Sequence, residues 1–190
     1  MVNKMYMKTI LSISDIPFTV LLIIAAAIIA LIIIMNFLLN KWKLKSITET
    51  LEMICNEHNF KIYDAKDARY NKIIETENTS FYIKYIIIPK NSSITVNSQT
   101  TWCLRFGGGN RKGRNYPNKE YMNYMKPFLS AQFKNDKKVQ KLVILYPSTE
   151  VVLKYLNESD IAVVKFNETA HGVKFINYTD LQNKFIEITK

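Results

Sequence analysis

The sequence predicts an α/β domain with a mixed central sheet flanked by helices, preceded by one N-terminal transmembrane helix. Three observations indicate this class. Residues 20–35 are sixteen consecutive apolar side chains, and several short runs after them are rich in Ile, Val, Phe and Tyr. Apolar residues also recur at helical spacing at both ends of the remaining chain. We therefore expect a short N-terminal segment at residues 1–15, a transmembrane helix at 16–39 and a single domain at 40–190.

The apolar run fits a membrane span in both length and composition. A helix rises about 1.5 Å per residue, so roughly 20 apolar residues cross a hydrocarbon core of about 30 Å. Because lipid offers no partners to backbone polar groups, such a run is helical. A cleaved signal peptide has a shorter apolar core that ends in small residues, whereas this run ends in Asn36 and a lysine-rich flank. We expect a single-pass membrane protein.

Three features bear on the topology, and they do not all point in the same direction. Lys41, Lys43 and Lys45 follow the span with Trp42 near the interface, and this slight excess of positive charge favours a cytoplasmic domain. Two cysteines give no disulfide framework, which favours a reducing compartment. Five N-x-Ser/Thr sequons favour the opposite side. They begin at Asn78, Asn91, Asn157, Asn167 and Asn177. We expect a cytoplasmic domain.

The first elements of the domain follow from hydrophobic periodicity. Apolar residues at helical spacing over 45–58 predict an amphipathic helix directly after the span. Residues 61–64 and 70–75 indicate short strands. Residues 81–88 are apolar at nearly every position, which is typical of a central strand covered on both faces. Pro89 ends this strand because proline cannot donate to a ladder.

The next segment changes from strands to a loop and a helix. Residues 94–96 and 100–106 predict two strands joined by a turn, and residues 107–116 form a basic loop. Pro117 suits the first turn of a helix, and Pro127 should kink that helix.

The remaining elements close the domain. Ser148 can cap a short helix over residues 151–156. Three strands and a terminal helix are predicted at residues 141–146, 161–166, 173–176 and 179–188.

Almost all of the domain's positive charge lies in one segment. Between Arg105 and Lys141 there are ten Lys and Arg residues against two acids, a net charge of +8, together with four of the five glycines. Such a loop can follow phosphates without reading sequence, and anionic lipid headgroups are an equally good target for a tethered domain. The residues expected to contact nucleic acid or another polyanion are Arg105, Arg111, Lys112, Arg114 and Lys119.

Several other chemistries fit the sequence poorly. Residues 108–115 place Arg114 and Asn115 where a P-loop requires Lys and Ser/Thr. His58 and His171 have no Cys or His at zinc-ligand spacing. We therefore expect no cofactor and no metal, except in the nuclease alternative below.

Five short motifs follow one another between residues 88 and 166. They are Ile-Pro-Lys-Asn at 88–91, Trp102, Asn-Tyr-Pro at 115–117, KLVILYP at 141–147 and IAVVKF at 161–166. Their order over residues 85–181 resembles the nuclease-related domain family, a branch of the restriction-endonuclease-like fold. The resemblance implies the restriction-endonuclease-like fold for the central sheet. Membrane-anchored members of this family are common, which fits the predicted span.

The resemblance also implies catalytic residues. Lys90 would be the lysine of the family's E-x-K pair, and Asp67 the upstream acid, with Asp64 or Glu75 as substitutes. Mg²⁺ or Mn²⁺ would then be required. Ile88 stands where the family carries its metal-binding Glu, so the resemblance implies a degenerate domain.

Three functions remain open at this point. The leading hypothesis is a membrane-anchored, catalytically degenerate nuclease-like domain that binds DNA, RNA or another polyanion through its basic loop. The first alternative is an active metal-dependent nuclease that uses Lys90. The second is a structural component of a membrane assembly that contacts anionic lipid or acidic membrane proteins.

Overall fold

The computed structural model describes residues 17–108, 116–157 and 160–189. Three α-helices are present in these ranges: α1 (Phe18–His58), α2 (Lys126–Ser130) and α3 (Tyr178–Thr189). A 3-10 turn, Asn123–Met125, precedes α2. The strands are β1 (Lys61–Asp64), β2 (Lys72–Glu75), β3 (Thr79–Ile87), β4 (Ser93–Val96), β5 (Trp102–Phe106), β6 (Asn118–Tyr121), β7 (Lys138–Tyr146), β8 (Val151–Tyr155), β9 (Ile161–Val163), β10 (Thr169–Ala170) and β11 (Val173–Asn177).

The chain divides into two compact units, Met1–Trp42 and Lys43–Lys190. Within the described part of the first unit, α1 is apolar and exposed on every side. Among the described residues, α1 is the one helix long and apolar enough to cross a membrane, on length and composition. The sequence predicts separate helices at 16–39 and 45–58. They form one helix because the residues between them contain neither Gly nor Pro.

The second unit contains a six-stranded mixed sheet in the order β1-β2-β3-β7-β11-β10. Strands β1, β2 and β3 form an antiparallel meander, and β3, β7 and β11 run parallel to one another. The prediction of a central strand at 81–88 is confirmed, since β3 pairs on both sides and is buried along most of its length.

Helices cover one face of this sheet. The C-terminal part of α1 and the inner side of α3 pack there in one apolar cluster. The predicted terminal helix is confirmed, and its residues Leu181, Phe185 and Ile188 are buried in this cluster. Burying a side chain of this size fully stabilises a fold by about 1.5–3 kcal/mol. The α1 residues in the cluster are Ile47, Leu51, Ile54 and Cys55.

A second sheet covers the opposite face. It has five strands in the order β6-β5-β4-β8-β9. Its inner residues, among them Ile94, Trp102 and Leu104, share an apolar cluster with Tyr82 and Val143 of the first sheet. The sequence predicts one central sheet flanked by helices. The structure has two mixed sheets, because β4 and β5 pair with β8 and β6 rather than with the first sheet.

Two predicted helices are wrong. Pro117 precedes a strand, β6, whose backbone pairs with β5, and the following helix begins only at Lys126 with Pro127 in its first turn, where proline costs little. Residues 151–155 form β8 rather than a helix capped by Ser148. The Val-rich start of β8 favours a strand, and its apolar spacing fits both structures. The short strand β10 has no counterpart in the prediction.

Candidate anion-binding surfaces

Two of the predicted polyanion-binding residues lie side by side on a β-hairpin. Strands β5 and β6 are antiparallel, and Arg105 lies directly opposite Lys119. Since neighbouring residues of a strand point to opposite faces and Leu104 points into the core, Arg105 and Lys119 point outward. Both side chains are exposed. Directly opposed residues of an antiparallel pair have Cβ atoms about 4.5–5.5 Å apart, and like charges there are destabilising.

An aromatic ring adjoins this pair of cations. The Lys119 ammonium lies over the Tyr121 ring, 4.8 Å from its centroid. A hydrogen bond with Tyr121 raises the pKa of Lys119, while the charge of Arg105 acts against this rise. The Tyr121 side chain is half exposed. Arg105, Lys119 and Tyr121 therefore form one exposed patch, the hairpin patch, with two cations and an aromatic face.

The ends of the connection between β5 and β6 are fixed by local structure. Gly107 has φ +89°, and a Cβ added there would lie 2.5 Å from the Asn118 amide nitrogen, so this turn requires glycine. At the other end, the Tyr116 hydroxyl donates a 2.9 Å hydrogen bond to Glu150. The predicted contact residues Arg111, Lys112 and Arg114 lie outside the described residues. Charge alone predicted Arg105 and Lys119 as contacts to a polyanion, and the pairing of β5 with β6 brings the two residues together.

The predicted acid Asp67 lies in the connection between β1 and β2. Its carboxylate accepts hydrogen bonds from the Arg69 guanidinium, the shortest at 2.7 Å, and from the Arg69 backbone N–H at 2.8 Å. These bonds hold the pKa of Asp67 below its ordinary value, with smaller contributions from the charges of Arg69 and Lys84. The carboxylate oxygens are thus already engaged by a cation.

Lys90 lies in a different place. It is an exposed residue that follows the carboxyl end of β3, and no hydrogen bond or ion pair joins it to Asp67. Ile88, at the position where the resemblance would need Glu, is a core residue with 4% exposure. Of the substitute acids, Asp64 pairs with Lys72 at 2.7 Å.

The described ranges contain no group of three or more His, Cys, Asp or Glu residues placed to hold a metal ion. The other substitute acid, Glu75, accepts a long hydrogen bond from Asn135 at 3.4 Å. The structure therefore does not assemble Lys90 with any of the three acids.

Sequence reasoning missed two lysines. Lys84 on β3 and Lys141 on β7 lie on the sheet face that carries the core residues Tyr82 and Val143. Burial lowers the pKa of both ammonium groups. A signal was present in the sequence, since Lys84 interrupts an otherwise apolar strand and charged residues are rarely buried without a partner.

Comparisons of the chain with protein-family models, curated proteins and solved structures find no significant match. Nothing in them identifies a nuclease-related or restriction-endonuclease-like domain. The resemblance stated above therefore stays a prediction. The structure itself defines an α/β protein with two mixed sheets and one N-terminal helix that is long and apolar enough to span a membrane.

Proposed function

We propose that this chain is a single-pass membrane protein whose cytoplasmic α/β domain holds single-stranded nucleic acid on the hairpin patch without cleaving it. The observation that carries the proposal is the direct opposition of Arg105 and Lys119 across β5 and β6, with Tyr121 beside them. Opposed like charges weaken a hairpin. A bound polyanion would remove that cost, because each phosphate carries the compensating charge.

The composition of the patch favours a single strand over a duplex. Proteins that hold single strands combine a positively charged groove with aromatic rings on which bases stack, and each stacked base contributes about 1–3 kcal/mol. The Tyr121 ring is half exposed and adjoins the Lys119 ammonium. The basic loop that joins the two strands, with Arg111, Lys112 and Arg114, would extend the phosphate contacts.

Binding without cleavage agrees with the placement of the acids. Asp67 is engaged by Arg69, and Lys90 lies beyond the end of β3. A metal-dependent nuclease needs carboxylates that are free to hold the ion and a lysine near them. We therefore keep the degenerate domain as the proposal and the Lys90-dependent nuclease as its alternative.

The experiment measures binding to the full-length protein in detergent micelles by fluorescence anisotropy, with labelled single-stranded and duplex DNA over a salt series. The test variant is Arg105→Gln/Lys119→Gln. The matched control is Lys61→Gln/Lys66→Gln, which removes the same charge from exposed lysines elsewhere.

We expect the test variant to lose at least tenfold in affinity at 100 mM salt and the control to lose much less. Two lost contacts to a single strand should also reduce the slope of log K against log[salt] by about 1.4, since each contributes about 0.7. Equal losses in both variants, or no DNA binding by the wild type, would overturn the proposal. In the latter case, protection of the basic loop from trypsin in nanodiscs of anionic but not neutral lipid would favour the lipid alternative.

A further inference from the structure

A second group of cations lies away from the hairpin patch, on the core-facing side of the six-stranded sheet. In the register of β3 and β7, Tyr82 lies opposite Lys141 and Lys84 lies opposite Val143. Paired residues of parallel strands share a face, so Lys84 and Lys141 are diagonal neighbours on one face. The same face carries the core residues Tyr82, Ile86, Val143 and Leu145.

Within the described residues, neither ammonium group forms an ion pair with an acid. The Lys84 ammonium donates to the backbone carbonyl of Ala68 at 2.8 Å, and the Lys141 ammonium donates to that of Leu129 at 2.5 Å. The Lys141 ammonium also lies 5.7 Å from the centroid of the Phe133 ring. Carbonyl oxygens and a ring face orient a cation but do not neutralise it. Each ammonium retains two further donors, since lysine has three.

The acid in this region is already paired. Among the described residues, Asp67 is the one acid whose charge acts on Lys84, and Arg69 binds both of its oxygens. Arg69 itself lies over the Phe133 ring, 5.6 Å from the centroid. At this place Arg69 and Lys84 are thus two cations against one acid, Asp67.

An open cavity adjoins this charge. It has a volume of about 430 Å³ and is lined by Asp67, Ala68, Arg69, Lys84, Tyr124 and Pro127. Lys141, on the neighbouring strand, does not line this cavity. The cavity therefore offers a ligand one half-buried ammonium, the remaining edge of a guanidinium and an aromatic wall.

We propose that this cavity binds a phosphate monoester, with Lys84 contacting the phosphate and Tyr124 packing against its substituent. A phosphate monoester carries about −1.5 to −2 charges at pH 7 and has three acceptor oxygens, for which Lys84 and the outer edge of the Arg69 guanidinium supply donors. The site shares no residue with the hairpin patch and does not rest on the proposed function.

The substituent of the phosphate is recognised by Tyr124. Its side chain lines the cavity and is 54% exposed, so part of the ring is accessible to a ligand. An aromatic base can stack on such a ring, whereas a glycerol group cannot. The site should therefore prefer a nucleoside monophosphate over an aliphatic phosphate ester.

The test is titration calorimetry on the full-length protein in detergent micelles with three probes: adenosine 5′-monophosphate, glycerol 3-phosphate and inorganic phosphate. The variants are Lys84→Met, Lys84→Arg and Tyr124→Leu. The matched control is Lys134→Met, an exposed lysine that does not line the cavity. Thermal melts of each variant establish that it is folded.

We expect adenosine 5′-monophosphate to bind, Lys84→Met to weaken it at least tenfold and Lys84→Arg to restore most of the affinity. Tyr124→Leu should remove the preference over glycerol 3-phosphate, and Lys134→Met should change the dissociation constant less than twofold. No heat with any probe, or equal affinity in folded Lys84→Met, would overturn the proposal. The hairpin variant Arg105→Gln/Lys119→Gln should bind the nucleotide normally, which separates this site from the proposed function.

Discussion

The hydroxyl of Ser46 on α1 and the hydroxyl of Tyr178, the first residue of α3, share a hydrogen bond of 2.7 Å. These residues are 132 positions apart in sequence. Thr50, one turn further along α1, lies 3.3 Å from the same tyrosine oxygen. The bond joins the two helices that cover one face of the six-stranded sheet. It adds a polar contact to the apolar cluster that the two helices share.

Replacing Tyr178 by Phe should lower the free energy of unfolding of the domain by about 0.5–1.5 kcal/mol, the usual net value of one hydrogen bond. The ring contact with Tyr146, 4.8 Å between centroids, is kept in this variant. Urea unfolding followed by circular dichroism would measure the change. Tyr63→Phe is the control, because Tyr63 is exposed. Equal effects of the two substitutions would contradict the structural role of the bond.

Phe185 anchors α3 against the sheet. Its side chain has no exposure and packs near Phe81, 6.3 Å between ring centroids. Phe185→Ala should lower the free energy of unfolding by about 3–5 kcal/mol, because the lost apolar burial is accompanied by a cavity. Leu156→Ala, at a position with 63% exposure, should change it by about 0.5 kcal/mol or less. Thermal unfolding of the two variants side by side checks the contrast.

The secondary structure of a segment could be predicted where its hydrophobic pattern fits only a helix or only a strand. Residues 81–88 are apolar at every position except Lys84, and the terminal helix repeats apolar residues every three or four positions, so both were predicted correctly. Residues 118–121 and 151–155 carry patterns that fit either structure. Both segments form strands because residues 118–121 pair with β5 and residues 151–155 pair with β4. Such pairing depends on residues far apart in the sequence, so a local pattern does not reveal it.

The candidate sites show the same division. Charge composition alone predicted Arg105 and Lys119, but their opposition follows from the β5–β6 register, which a helix at 118–121 would have removed. The cavity at Lys84 requires the β1–β2 connection, β3 and the turn before α2 to meet. No single segment of the sequence predicts that these three elements form a cavity. The lone Lys84 in an apolar strand indicates only one of its lining residues.

The Asp67 carboxyl should titrate below its ordinary pKa of 3.8, because the Arg69 guanidinium and backbone N–H bind its ionised form. A depressed pKa in the folded state contributes stability above the unfolded pKa, and this contribution is lost as pH falls through the folded value. Arg69→Gln should therefore raise the pKa of Asp67 toward 3.8. Carbon-13 NMR titration of the carboxyl groups measures it. Lys61→Gln is the control, and an unchanged Asp67 pKa in Arg69→Gln would contradict the pairing.

Gly107, at the start of the basic loop, and Gly172 can be compared by the same substitution to Ala. Both have positive φ, +89° and +79°, but a Cβ at Gly107 would meet Asn118 at 2.5 Å while one at Gly172 would meet nothing within 4 Å. Each substitution to Ala should cost about 1–3 kcal/mol for the backbone conformation, and Gly107→Ala should cost more. Gly107→Ala should also weaken DNA binding by displacing the hairpin end, whereas Gly172→Ala should not. Chemical unfolding and anisotropy together would show whether the two effects separate.

Lys90→Ala should leave the action of the protein on DNA unchanged, with or without Mn²⁺. Lys90 is exposed beyond β3, Ile88 lies in the core where a metal-binding Glu would be needed, and Arg69 engages the predicted acid Asp67. Incubation of single-stranded and duplex DNA with the wild type and Lys90→Ala, each with Mg²⁺, Mn²⁺ or EDTA, would be followed on denaturing gels. A mobility shift without cleavage in both proteins fits a domain that only holds nucleic acid. Metal-dependent cleavage by the wild type that disappears in Lys90→Ala would make Lys90 catalytic. It would also require the acids to rearrange around a bound ion, and the degenerate-domain proposal would then be wrong.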